Sequence, residues 1–430
     1  MNSVGGGGDE TPHLVDAANA LTFCLMVLTC YFSSAITKLI GIRLTLILGT
    51  IGYCPYAAGL YLNNRYGHDW LLLLGAALCG LSAGIFWATE AAIAIAYPEP
   101  YNRGRFLGLW LSFRVGGQII GGAINLGVNA HRAVAGKVSY HVFEAFIALQ
   151  ALAPFAGLLL SQPWHVQRTD GRKVDLKIHD SIVGELKKTA KLFFSKKFLL
   201  IIPFIAQAVY GEAVFFTYEG DWFSVRARGL GSFLSGVVAA ISGLILGTYL
   251  DSKRFSLKSK SRYAWAVIVT LQGGWWIWGT VITTEYRRTL PVLDWSDAGF
   301  GRGFALFIFW IIGFQLNYMF LYFIVGNISD DEEEIIRITA LLRGTESAVQ
   351  AVSYGLSSIT VFGQVGGTYL NFALWGIALL PTWHIIKHIG TKYDYDRDKE
   401  IVSTSEDEAE ADDDGEKISA TNEVSVPVHT

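Results

Sequence analysis

The chain has 430 residues, 52% hydrophobic and only 17% charged, with a formal net charge of −3. Repeated apolar runs of about 20 residues exclude an ordinary soluble domain and fit a polytopic membrane protein. No basic surface with interleaved aromatics is present for nucleic acid.

In lipid every backbone polar group must pair inside the protein, and the runs lack the alternation of barrel strands. The expected fold class is therefore all-α. Met1 is followed by a Gly-rich polar stretch over residues 1–19, not by a basic and then apolar leader. Gly5-Gly6-Gly7-Gly8 lacks the Gly-Lys-Ser/Thr that a phosphate loop requires.

Eleven spans come next, over 20–40, 44–62, 70–96, 106–128, 141–161, 198–217, 229–250, 263–283, 303–326, 338–361 and 365–386. The first five, 20–161, form an N-terminal bundle and the last six, 198–386, a C-terminal bundle. Lys and Arg gather in one set of connections: Lys38 and Arg43, Arg103 and Arg105, the loop 162–197, 251–262, Arg337 and 387–400. By the positive-inside rule that set is cytosolic, which puts the N-terminus outside and the C-terminus inside. Asn327-Ile328-Ser329 then lies on the cytosolic side, where a glycosylation sequon is unused.

Within 162–197, Ile178, Ile182, Leu186 and Phe193 recur at helical spacing among Lys177, Lys187, Lys188, Lys191, Lys196 and Lys197. Two readings stay open: a basic amphipathic helix over 177–197 on anionic lipid, or a solvated linker. Trp265, Trp275, Trp276 and Trp278 crowd one span, and Trp164, Trp222, Trp295 and Trp383 lie near span ends. Most of them are expected as interfacial anchors and lipid-facing bulk rather than a ligand cage. Residues 387–430 carry eight acids between Glu406 and Glu416, and should form a disordered cytosolic tail. Ser403 and Ser405 precede acids, a phosphorylation pattern weighed against a plain solubilising tail.

The chemistry is expected on a few charges inside the spans. Glu90 lies seven residues before the 97–105 turn, about 10 Å deep, and Arg114 eight residues into the next span, about 12 Å deep. Arg114, Gln118, Gly121 and Asn125 recur at i, i+4, i+7 and i+11, on one helical face. Arg343, Ser347, Gln350 and Tyr354 repeat that spacing on the tenth span, with Glu346 beside them. This resembles an internal repeat of two halves, as in many secondary transporters.

Charges at membrane depth are costly and face partners or water. Glu90, Arg114, Gln118, Asn125, Gln207, Glu212, Arg343, Glu346 and Gln350 are the candidate substrate-pathway or gating residues. The alternative is that Glu90–Arg114 and Arg343–Glu346 are ion pairs locking helices together. Gly116, Gly117, Gly121 and Gly122 are expected to let helices approach closely. His384 and His388 have i, i+4 spacing without a third ligand, so no metal is expected. No nucleophile elbow, kinase or Walker signature points to an enzyme, and no cofactor is expected.

Several stretches are similar to a known family. Thr37-Lys38-Leu39-Ile40-Gly41-Ile42-Arg43 with Gly49-Thr50-Ile51-Gly52-Tyr53 resembles the cytosolic turn and next span of the UNC-ninety-three-like (ion channel regulatory protein) branch of the major facilitator superfamily. Gly80 to Pro98 with Trp87-Ala88, the turn Arg103-Gly104-Arg105, and Phe223 to Leu230 in an outer loop resemble further signatures of that branch. The resemblance covers roughly residues 5–390. It implies two six-helix bundles around a central cavity, with about eleven transmembrane helices here, because the family's usual first span is not found before the Gly-rich stretch.

The resemblance makes Thr37, Lys38, Gly41, Arg43 and Asp251 a cytosolic conformational turn. Ser33 and Thr37 stand where the superfamily has Gly and Asp, while Gly247 and Asp251 keep that pattern better in the second half. The expected function is gradient-driven transport of an unknown small solute or ion. The alternative is a non-transporting accessory protein that regulates or escorts a membrane-protein partner.

Overall fold

The computed structural model describes Gly8 and residues 12–97, 103–161, 165–166, 182–252, 254–328 and 332–391. Most of residues 1–11, the centre of the 97–105 turn, Lys177 and Ile178, and the acidic tail with Ser403 and Ser405 lie outside the described residues. The end of the 1–19 stretch does not form a separate segment: residues 13–19 are already the first turns of α1, with Val15, Asp16, Ala18 and Asn19 buried.

Helices account for the described chain in this order: α1 (His13–Ile40), α2 (Ile42–Ile51), α3 (Tyr53–Tyr66), α4 (Asp69–Ala96), α5 (Arg103–Asn129), α6 (His141–Ala151), α7 (Ala153–Gly157), α8 (Ile182–Phe193), α9 (Lys196–Trp222), α10 (Val225–Leu250), α11 (Leu257–Thr289), α12 (Phe300–Val325), α13 (Glu332–Ser357), a π-helical turn (Phe362–Gly366) and α14 (Gly367–Ile386). Among the described residues the extended pairing is a single bridge between Phe223 and Leu293. Each expected span has its helix. The 44–62 span is two stacked helices meeting at Gly52, and the 141–161 span is α6 and α7, with a proline at the start of α7.

Among the described residues, eight stretches are long and apolar enough to cross a membrane, running from His13–Ser33 to Phe362–Ile386. Their ends are set by side-chain chemistry. Ser195, Ser224 and Ser256 cap α9, α10 and α11 by accepting from Phe198 N, Ala227 N and Ser259 N. Gly41 (φ 81°) closes α1 and donates its N–H to Thr37 O at 2.9 Å before α2 begins.

Helix α4 packs on α1, α2 and α3, around a core of Met26, Tyr56, Leu72, Ala76 and Phe143. Helix α9 packs on α12, α13 and α14 over a second core, and α11 packs on α12 and α14. The two groups meet where α1 lies on α13 and α5 lies on α10.

In lipid such contacts depend on small residues rather than on the hydrophobic effect. A Cβ on Gly122 would stand 2.5 Å from Phe233 Cα of α10, and one on Gly236 2.6 Å from Ile119 Cγ1 of α5. Gly116 and Gly117 do not share this role, since a Cβ on either meets nothing within 4 Å. Trp295 and Trp383 near span ends are exposed, as expected of anchors, but two other tryptophans depart from expectation. Trp222 and Trp276 are buried, and Trp276 stacks on Trp310 at 5.2 Å.

Helix α8 turns Leu192 and Phe193 onto the protein core. Its outward face therefore carries Val183, Lys187, Lys191 and, just past its end, Phe194.

Candidate functional site

The centre of the site is Arg343, near the middle of α13 and 3% exposed. Its Nη1 donates to Glu346 Oε2 at 3.0 Å and to the Tyr318 hydroxyl. Four aromatic rings surround its guanidinium: Trp87 at 5.0 Å, Tyr322 at 5.2 Å, Trp110 at 5.5 Å and Tyr318 at 5.7 Å from Cζ to ring centroid. Helical spacing explains the convergence. Tyr318 and Tyr322 are i, i+4 on α12, Trp110 and Arg114 are i, i+4 on α5, and Trp87 and Glu90 are i, i+3 on α4. Aromatic faces offset part of the cost of burying a guanidinium, by about 2 kcal/mol or more when desolvated.

Arg114 shares two of those rings, lying 4.4 Å from Tyr318 and 5.1 Å from Trp87. It forms no ion pair with Glu90 among the described residues. The rings of Trp87 and Tyr318 take the guanidinium faces instead, so Arg114 stacks rather than pairing with the acid. Glu90 lies close to Trp110 and within electrostatic reach of Arg343 and Arg114. Its Oε1 is buried without a hydrogen-bond partner, as are Arg343 Nε and Nη2 and Glu346 Oε1. Gln350 Nε2 donates to Glu212 Oε2 of α9 at 2.6 Å. Glu90, Arg114, Glu212, Arg343, Glu346 and Gln350 are thus brought to one place, drawn from α4, α5, α9 and α13.

The other candidates go elsewhere. Gln118 donates to Ser235 Oγ of α10 at 2.8 Å, across the α5–α10 contact. Asn125 is fully buried and accepts from Asn129 Nδ2 at 2.9 Å. Gln207 joins an amide cluster with Gln272 of α11 and Asn317 of α12. Near the C-terminal end of α1, Thr37 Oγ1 is 3.5 Å from Thr89 Oγ1. Lys38 and Gly41 are exposed there. Arg43 Nη2 donates to Leu158 O just beyond α7. Asp251 caps α10 through its N–H to Gly247 O at 2.9 Å.

Sequence reasoning passes over the four ring residues, because aromatics inside apolar spans read as packing. It also passes over a loop clasp. Ser224 Oγ donates to Asp294 Oδ1 at 2.6 Å, Arg226 Nε to the same oxygen at 2.7 Å, and Ser296 Oγ to Oδ2 at 2.8 Å. Backbone bonds from Val225 N to Val134 O and from Arg226 N to Arg132 O tie in a third loop. Phe223–Leu230 therefore fastens the loops after α5, α9 and α11 together.

The Arg226 guanidinium holds the Asp294 carboxyl well below the usual carboxylate range, with Ser224 and Ser296 assisting. A carboxyl depressed in the folded state stabilises it at neutral pH, and that contribution is lost as pH falls through the folded value. Asp294→Asn should therefore melt below wild type at neutral pH, with the gap closing once the pH drops below about 4. A gap that persists unchanged in acid would rule out the charged clasp.

The helix order and this charge site, set between two helix groups, define a polytopic membrane protein of the major facilitator fold. Solved structures agree on the fold. A proton:xylose symporter bound to 6-bromo-6-deoxy-D-glucose superposes with a TM-score of 0.58 over 91% of this chain and 96% of its own, at 12% identity. A partially occluded, inward-open xylose transporter from E. coli gives 0.60 over 86% and 87%, at 9% identity.

A family model described as ion channel regulatory protein UNC-93 matches residues 16–271, and the chain belongs to that family. The notoamide biosynthesis cluster protein O' of Aspergillus versicolor is 38% identical over 392 residues, covering 91% of this chain and 85% of that protein. UNC93-like protein 1 of Arabidopsis thaliana is 27% identical over 372 residues, covering 82% and 78%.

Proposed function

We propose that the chain is a gradient-driven secondary transporter, with 20–161 and 198–386 as two halves that rock around the Arg343 site. The observation that carries this reading is the cluster of five interior charges, Glu90, Arg114, Glu212, Arg343 and Glu346, at the meeting of helices from both halves. Arg343 holds Glu346 of its own helix through Nη1, while its Nε and Nη2 fork has no hydrogen-bond partner and Glu90 of the other half is close by. Exchange of the fork between Glu90 and a solute or proton-linked state would bias the two halves between conformations. In this reading Glu90 is the gating acid, and Arg114 is its electrostatic neighbour. The Aspergillus versicolor relative is named for a biosynthetic cluster, which accords with a small organic solute.

The test is uptake into proteoliposomes, screened over small solutes under an imposed proton or sodium gradient. Wild-type flux should fall at least about tenfold, which is about 1.4 kcal/mol of barrier, in Glu90→Gln. Undiminished flux in that variant would remove Glu90 from the coupling role.

The family description favours a second reading, an accessory protein for another membrane protein. A stoichiometric channel or receptor that co-purifies, with no flux for any solute, would select it. On either reading the C-terminus is cytosolic, and the outward Lys187 and Lys191 of α8, flanked by Val183 and Phe194, fit the anionic inner leaflet.

A further inference from the structure

A second polar centre lies inside the C-terminal helices. Asn317 Nδ2 donates to Gln207 Oε1 and to Gln272 Oε1, both at 2.9 Å. Gln207 Nε2 also donates to Gln272 Oε1, and Gln272 Nε2 donates to Gly313 O at 2.7 Å. Each of these three amides is thus engaged with the others. Asn371 of α14 is not: it is 0% exposed, and neither its Oδ1 nor its Nδ2 has a hydrogen-bond partner. A buried amide left unpaired at membrane depth is strongly unfavourable, because no bulk water can reach it.

Two local features place it there. The π-helical turn Phe362–Gly366 immediately precedes α14. One inserted residue rotates the downstream helix by about 100°, which sets the face that α14 turns inward. Gly211 of α9 lets the amide approach that helix closely, since a Cβ there would stand 2.9 Å from Asn371 Nδ2. A cavity of about 20 Å³ results, bounded by Gln207, Gly211, Trp276, Trp310, Asn317 and Asn371. That is the room one water molecule needs, and this site has polar partners on two sides.

We infer that this cavity is a binding site for a single water molecule that bridges Asn371 of α14 to the Gln207–Gln272–Asn317 amide cluster. Its volume matches one water, and its lining carries no charged side chain. The water attaches α14 to α9 and α12 through a replaceable link rather than a direct side-chain bond. No residue of the Arg343 cluster lines this site.

The experiment uses the full chain in lipid nanodiscs, imaged at a resolution that shows ordered waters. A compact density within hydrogen-bond distance of the Asn371 amide is expected. An Asn371 amide bonded directly to protein groups, with no such density, would overturn the inference. Asn371→Leu, an apolar residue of similar size, should lose the density and keep the wild-type melting temperature within about 5 °C. A larger drop would instead mean that Asn371 makes direct protein bonds. Gly211→Ala should displace the water and lower the melting temperature. Retention of both at wild-type level would also count against the site.

Discussion

Arg343→Met is expected to lower the stability of the purified chain by about 3–5 kcal/mol, because it leaves a buried acid without its charged partner. Glu346→Leu should cost a similar amount, by stranding the guanidinium. The double variant should recover most of the loss, since two apolar residues of similar volume replace both members of the pair. The geometry supports a large coupling. Side-chain exposure is 4% for Arg343 and 5% for Glu346, so solvent does little to screen the pair.

Arg343→Lys separates charge from shape. An ammonium keeps the charge but lacks the planar fork that stacks on Trp87, Trp110, Tyr318 and Tyr322, so it should fall between wild type and Arg343→Met. Denaturant or thermal melts in detergent would measure all four variants. Single variants that melt with wild type would show the pair to be hydrated rather than buried.

The pair also shows how far the sequence alone reaches. Arg343 and Glu346 are three residues apart on one helix, so the helical repeat alone brings them together. Glu90 and Arg114 match in depth, and they do reach the same site, but depth carries no information on rotation. Arg114 meets α4 at the Trp87 ring and α12 at the Tyr318 ring rather than at the Glu90 carboxylate. Trp87, Trp110, Tyr318 and Tyr322 carry no polar signature in an apolar run, so their gathering is visible only once the three helices that carry them, α4, α5 and α12, are assembled around Arg343 of α13. Asn371 is a similar case: its amide matters because of Gln207, Gln272 and Asn317, which lie on three other helices.

The same limit explains the glycines, and it leads to the second large effect. Gly116, Gly117, Gly121 and Gly122 are equivalent in sequence, yet only Gly122 lies hard against the backbone of α10. Gly121 meets the ring of Phe146 at an ordinary 3.4 Å, and Gly116 and Gly117 meet nothing within 4 Å.

Gly122→Leu should therefore act as a wedge between the two halves. Its Cβ alone would sit 2.5 Å from Phe233 Cα and 2.6 Å from Phe233 N. A backbone cannot swing aside as a side chain does, so α5 and α10 must separate. Overpacking of this kind costs typically about 1–3 kcal/mol and more where backbone must move. Separation would also break the Gln118–Ser235 bond that spans the same contact.

Gly117→Ala, on the same helix, is the control. It meets open space and removes a helix-interior glycine, so it should be neutral or stabilising by about 0.5–1 kcal/mol. The prediction is thus opposite signs at two glycines of one helix. Melting temperature reports the sign, and limited proteolysis of the 162–197 connection reports whether the halves have parted. Equal melting of the two variants would mean that α5 and α10 are not in contact at Gly122, and the bundle interface would have to be redrawn.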